Sequence, residues 1–156
     1  MLILLSLGAL ASAADTEIGA RPFGLGVQLG APSGITGKVY LGGRTNAIDF
    51  SVGTTYGDSF ADSLYAHGTY SVHFPALARG GGVTIPWRVG LGGWLANGRW
   101  AFGDNGTVIG ARAPIGLDFD LEGAPLQFYI EVAAVLSVLP GVDLGVDGGL
   151  GARYYF

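Results

Sequence analysis

The chain has 156 residues, 49% of them hydrophobic and only 13% charged, with 29 glycines, no cysteine and a formal net charge of −4. That length fits one domain, the apolar content excludes a disordered chain, and the negative balance argues against a nucleic-acid partner. Lack of cysteine excludes disulfides, thiolate metal sites, a cysteine nucleophile and a lipid-bearing cysteine, and so much glycine excludes a helical bundle, because each one in a helix interior costs about 1 kcal/mol relative to alanine.

Residues 1–14 read MLILLSLGALASAA. An apolar run this short, ending in the small-residue pattern Ala11-Ser12-Ala13, has the form of a secretory signal peptide and is too short to cross a bilayer as a helix. The expected mature domain is 15–156.

From Phe23 the apolar period is two, the mark of a strand with two unlike faces. The first strand sets Phe23, Leu25, Val27 and Leu29 against Gly24, Gly26, Gln28 and Gly30, and Ala31-Pro32-Ser33-Gly34 is turn chemistry. The second, Ile35 to Leu41, opposes Ile35, Gly37, Val39 and Leu41 to Thr36, Lys38 and Tyr40; residues 42–46 turn the chain. The third, Ala47 to Tyr56, opposes Ile48, Phe50, Val52 and Tyr56 to Asp49, Ser51 and Thr55. The fourth, Leu64 to Phe74, sets Leu64, Ala66, Tyr70, Val72 and Phe74 against Tyr65, His67, Thr69, Ser71 and His73. A long turn is expected over 75–86. The fifth carries Trp87, Val89, Leu91 and Leu95 opposite Arg88 and Trp94, and a loop is expected over 97–106. The sixth, Thr107 to Leu121, opposes Ile109, Ile115, Leu117, Phe119 and Leu121 to Arg112, Asp118 and Asp120; a short turn over 122–125 follows. The seventh opposes Leu126, Phe128, Ile130, Val132 and Leu136 to Gln127, Tyr129, Glu131 and Ser137. The eighth runs to the last residue, with Leu144, Val146, Leu150, Ala152, Tyr154 and Phe156 opposite Asp143, Asp147, Arg153 and Tyr155.

Ten charged residues fall inside these strands: Lys38, Asp49, Arg88, Arg112, Asp118, Asp120, Glu131, Asp143, Asp147 and Arg153, all on the polar parity. A lipid-facing Lys or Arg at mid-bilayer costs about 2–4 kcal/mol, so a membrane strand clears one face of charge completely. The wide apolar face recurs on every strand, while the charged face is narrow and rich in glycine. The predicted fold is therefore all-β: an eight-stranded antiparallel up-and-down transmembrane barrel with its apolar face to lipid and a lumen charge network of Lys38, Asp49, Arg88, Arg112, Asp118, Asp120, Glu131, Asp147 and Arg153. A soluble lipocalin-like barrel would invert the two faces, but ten strand charges are few for a water-exposed exterior. With an up-and-down order, the outward aromatics Phe23, Phe50, Phe74, Trp87, Phe119, Phe128, Tyr154 and Phe156 collect at the edge where the chain enters, as an aromatic girdle would. The opposite edge offers Tyr56, Trp100 and Phe102.

The chain ends Gly149-Leu150-Gly151-Ala152-Arg153-Tyr154-Tyr155-Phe156. This resembles the C-terminal assembly signal of bacterial outer-membrane β-barrels, a glycine followed three residues later by an aromatic, with a closing aromatic; Gly151, Tyr154 and Phe156 fill those places, while Gly149 stands where a polar residue is commoner. Over about 20–156 the chain resembles the small OmpA/OmpX-like outer-membrane barrel domains. The resemblance implies export to the outer membrane of a Gram-negative-type bacterium, periplasmic chaperones and the barrel-assembly machinery as partners, outer-membrane lipids around a monomer, and no cofactor.

Residues that could carry chemistry are few. Ser71 and His73 share a strand face and Glu131 is inward on another strand, which resembles the triad of the lipid A deacylases; those enzymes, however, carry the order His-x-Ser near the outer rim, the reverse of Ser71-x-His73. His67, His73, Asp118 and Asp120 match no metal-ligand spacing, and inward acids serve more simply as partners for arginines. Eight strands leave a lumen that side chains can fill, which disfavours conduction. The expected role is accordingly non-enzymatic: a structural, envelope-integrity or surface-interaction barrel, with a narrow pore, a lipocalin-like carrier and a deacylase-like enzyme as rivals.

Overall fold

Alternating strands leave no element free to cover a sheet's polar face, and the chain resolves this by closing the sheet on itself. The computed structural model describes residues 21–55, 63–99 and 105–156, in which all regular structure is β. The strands are β1 (Phe23–Gly30), β2 (Ser33–Tyr40), β3 (Asn46–Thr55), β4 (Ser63–Gly80), β5 (Val83–Arg99), β6 (Asn105–Leu121), β7 (Leu126–Leu139) and β8 (Asp143–Tyr155). Each pairs antiparallel with its sequence neighbours and β8 pairs back onto β1, giving a closed eight-stranded up-and-down barrel. The proposed signal peptide, and the aromatics Tyr56, Trp100 and Phe102, lie outside the described residues.

Turns 41–45, 81–82 and 122–125 lie at one end with both described chain ends, which we call the terminal end; 31–32 and 140–142 lie at the other, the loop end. Register follows the alternation: Phe23 faces Val39, Lys38 faces Asp49, Phe119 faces Phe128 and Leu25 faces Tyr154.

Two expected connections are strand instead. The long turn over 75–86 is taken up by β4 and β5, which continue to a tight turn at Gly81 and Gly82, both at positive φ (63° and 80°) as a two-residue hairpin matching strand twist requires. The two prolines that bound this segment, Pro75 and Pro86, are absorbed by a β-bulge: pairing runs from Phe74↔Trp87 to Ala78↔Ile85, so 75–77 oppose Pro86 alone. Proline has no N–H for a ladder, and a bulge is where a ladder is already interrupted. The loop expected over 97–106 is also shorter, since Asn97↔Thr107, Gly98↔Gly106 and Arg99↔Asn105 remain paired.

The core is the lumen. Tyr40, Tyr65, Trp94, Tyr129 and Tyr155 are buried there, while Leu25, Val52, Val89 and Ile130 stand on the outside at 36–47% exposure. The glycines make this possible. Tyr155 lies over Gly24, Tyr129 over Gly151, Trp94 over Gly110 and, on the outer face, Phe50 over Gly37, each aromatic directly opposite its glycine in the register. A Cβ on Gly151 would meet the Tyr129 ring and the Val27 carbonyl oxygen, both at 2.6 Å. An aromatic folded across a cross-strand glycine fills the gap in the sheet and fits large rings into a narrow barrel. Gly151→Val should therefore destabilise the folded barrel by about 2–3 kcal/mol through overpacking, read as a lower urea midpoint in detergent micelles, with Leu150→Val on the outer face nearly neutral.

Candidate functional site: the charged lumen

The even-numbered positions of β2, β5 and β6 and the odd-numbered positions of β3, β7 and β8 project into the same narrow space, so charged side chains from six strands meet at its centre. Asp118 accepts from Lys38 Nζ at 2.7 Å and from Arg88 Nε at 3.1 Å. The far side of the Arg88 fork donates to Glu131 at 2.7 Å, and the other oxygen of Glu131 accepts from Arg112 at 3.0 Å. Arg112 continues to Asp147 at 3.1 Å, whose second oxygen accepts from the Tyr65 hydroxyl at 2.7 Å. Asp49 sits among Lys38 (3.6 Å), Arg153 (3.3 Å) and Arg88 (3.9 Å) and accepts from the Ser71 hydroxyl. The Arg153 guanidinium lies 3.9 Å above the Tyr129 ring and donates to the Thr36 hydroxyl at 2.8 Å.

One continuous network results, four cations (Lys38, Arg88, Arg112, Arg153) against four anions (Asp49, Asp118, Glu131, Asp147). Lys38, Arg88 and Asp118 are fully buried and the other members nearly so, apart from Asp147. Removing a charge from water costs several kcal/mol unless paired, so balance is what this space demands. A second pair closes the terminal end: Arg44, folded back from the turn 41–45, meets Asp120, which also accepts from Gln127 at 2.7 Å, while Tyr155 donates to Gln127 at 2.8 Å and stacks on Tyr40. At the loop end Tyr65 and Trp94 stack with centroids 5.4 Å apart.

Of the residues singled out by parity, Lys38, Asp49, Arg88, Arg112, Asp118, Glu131, Asp147 and Arg153 share the central network; Asp120 belongs to the terminal-end pair, and Asp143 lies exposed at the start of β8. Arg44 escaped strand parity because it sits in a turn, although its even number continues the inward positions of β2. Gln28, on the polar face of β1 but outside the charge network, accepts from Tyr129 and Ser51 and donates to the Pro32 carbonyl.

Ser71, His73 and Glu131 are not brought together. Ser71 hydrogen-bonds to Asp49, His73 Nε2 lies 2.9 Å from Lys38 Nζ and 3.2 Å from Asp118, and Glu131 holds two arginines. The same His73 nitrogen thus faces an ammonium, which can only donate, and a carboxylate, which can only accept. His67 Nδ1 faces the Arg112 guanidinium, which can only donate, at 3.2 Å. Among the described residues no group of three or more His, Cys, Asp or Glu is placed to hold a metal.

The outward aromatics Phe23, Phe74, Trp87, Phe119, Phe128, Tyr154 and Phe156 stand towards the terminal end, while Phe50 lies in the middle of β3. Phe74 stacks on Trp87 with centroids 4.2 Å apart, Phe23 on Phe156 at 6.3 Å, and Tyr154 meets Phe156 edge-on at 5.1 Å. The Phe156 amide donates to the Phe23 carbonyl, so the last residue closes the β8–β1 seam. Comparison of the chain with protein-family models, curated proteins and solved structures finds no match.

Arg88→Met should cost about 3–5 kcal/mol, because Asp118 and Glu131 each lose a partner inside a closed space. Ser71→Ala should cost only about 1 kcal/mol, since Asp49 keeps three cations around it. Denaturant unfolding of both variants in micelles measures the contrast.

Proposed function

We propose that the chain is an integral outer-membrane barrel of a Gram-negative-type bacterium, a monomer without catalytic activity whose contribution is structural: envelope integrity or interaction at the surface. One observation carries the membrane reading. Large apolar side chains at 36–77% exposure ring the barrel on every strand, and no charged side chain whose placement is described stands on that outward face within the strands. A water-soluble monomer seldom exposes an apolar patch beyond a few hundred Å², whereas hydrocarbon requires both the apolar band and the closed, edge-free backbone. The outward aromatics at the terminal end suit the headgroup level, and that end, by the resemblance at the C-terminus, is assigned to the periplasm. Gly151, Tyr154 and Phe156 on the closing strand then serve as the signal read by the assembly machinery after chaperoned passage.

The ion-paired lumen supports a structural role over conduction. A narrow interior occupied by Lys38, Arg88 and Arg153, each at most 2% exposed, and by equal numbers of opposite charges in the central network favours a filled lumen over an ion path. Equally, Ser71 and His73 lack the contact a serine nucleophile needs.

Fractionation tests the reading. The chain should co-sediment with outer membranes and shift in mobility between boiled and unboiled gel samples; a protein soluble without detergent would overturn it. Val89→Arg, on the outward face, should lower the stability of the folded barrel by about 2–4 kcal/mol and reduce the folded fraction in membranes. Folded protein in planar bilayers should give no discrete conductance steps.

A further inference from the structure

The bulge in β4 reshapes the outer wall. With 75–77 opposing only Pro86, Leu77 is carried outward, 66% exposed, beside Trp87. These two side chains form one side of an open groove of about 380 Å³; Ile115 and Leu117 of β6 form its floor, and Ile130 and Val132 of β7 its other side. All six are apolar, and the backbone of the floor is engaged in the β6–β7 ladder. A ligand with polar groups would lose its water here without gaining a partner, so the groove selects hydrocarbon. Bulges recur where a sheet re-aims a side chain for a purpose, and without this one the wall would have no Leu77 ridge.

We propose that the groove seats one acyl chain of a glycerophospholipid. This assignment rests on the outer-membrane reading above, in which the terminal end faces the periplasm and the adjoining leaflet is phospholipid. The groove starts at Trp87, level with the outward aromatics, and passes Ile115 and Val132 towards the middle of the barrel, the course of a chain descending from a headgroup. A second barrel fits less well, because its outer wall is convex and would meet the Leu77 ridge first.

The test uses the full chain folded in detergent micelles and titrated with chain-brominated phosphatidylglycerol, with Trp87 fluorescence as the reporter and Trp87→Phe as the blank. Saturable quenching at one lipid per barrel is expected, weakened about tenfold in Ile130→Phe, as for a steric change of a few methylenes in an apolar pocket. It should be unchanged in Leu91→Phe, which lies outside the groove. Quenching that rises without saturation, equally in Ile130→Phe, would overturn the site; stronger displacement by lipid A than by unlabelled phospholipid would overturn its source. Cross-linking of Leu77→Cys barrels into a lipid-excluding dimer would give the groove to a second copy instead. Failure of the membrane reading is separately visible, as a missing gel shift between boiled and unboiled samples before any lipid is added.

Discussion

Electroneutrality inside a closed sheet is the constraint on which the rest depends. Eight strands enclose a space that side chains just fill, so a charge placed there reaches neither bulk water nor counterions and must find its partner on another strand. Arg88 satisfies three anions from three strands, and Asp118 binds two cations from two more. Each such bond is also a tie across the barrel. The network therefore fixes the cross-section of the cylinder as disulfides or a hydrophobic core would in a soluble domain, and it tolerates no member being removed alone.

Glycine and aromatic residues solve the complementary problem of volume. A lumen holding four guanidinium or ammonium groups has little room for rings, yet Tyr129 and Tyr155 are there, because Gly151 and Gly24 opposite them have no Cβ. The rings in turn serve the charges: Tyr129 offers its face to Arg153 and its hydroxyl to Gln28. High glycine content, which excludes helices at the level of composition, is at the level of packing what lets charge and aromatic share one interior.

The filled interior and the apolar exterior bear differently on function. With the lumen occupied, the surfaces left for interaction are the outer wall, the loop end and the hairpin at the terminal end. The bulge at 75–77 carries Leu77 out of the smooth cylinder and gives the outer wall a recess, and the proposed acyl-chain seat lies there.

Strand number, the two faces of each strand and the inward set of charges were legible in the sequence, because a period of two is a local property that survives any tertiary arrangement. Lys38 and Asp49 could be assigned to one face from their neighbours alone. Which charge meets which could not: Lys38 bonds Asp118, eighty residues away, and Arg153 shares Asp49 across the β8–β1 seam, contacts that depend on closure and stagger rather than on spacing. The segment 75–86 reads as a long turn in the sequence, since only the paired hairpin shows that a bulge absorbs Pro75 and Pro86. Arg44 was invisible for the opposite reason, as a turn residue whose role is set by the mouth of the barrel above it. Alternation thus determined what kind of wall the chain builds, and the geometry of the closed cylinder decided the partners, because only closure brings residues distant in the chain to within bonding distance.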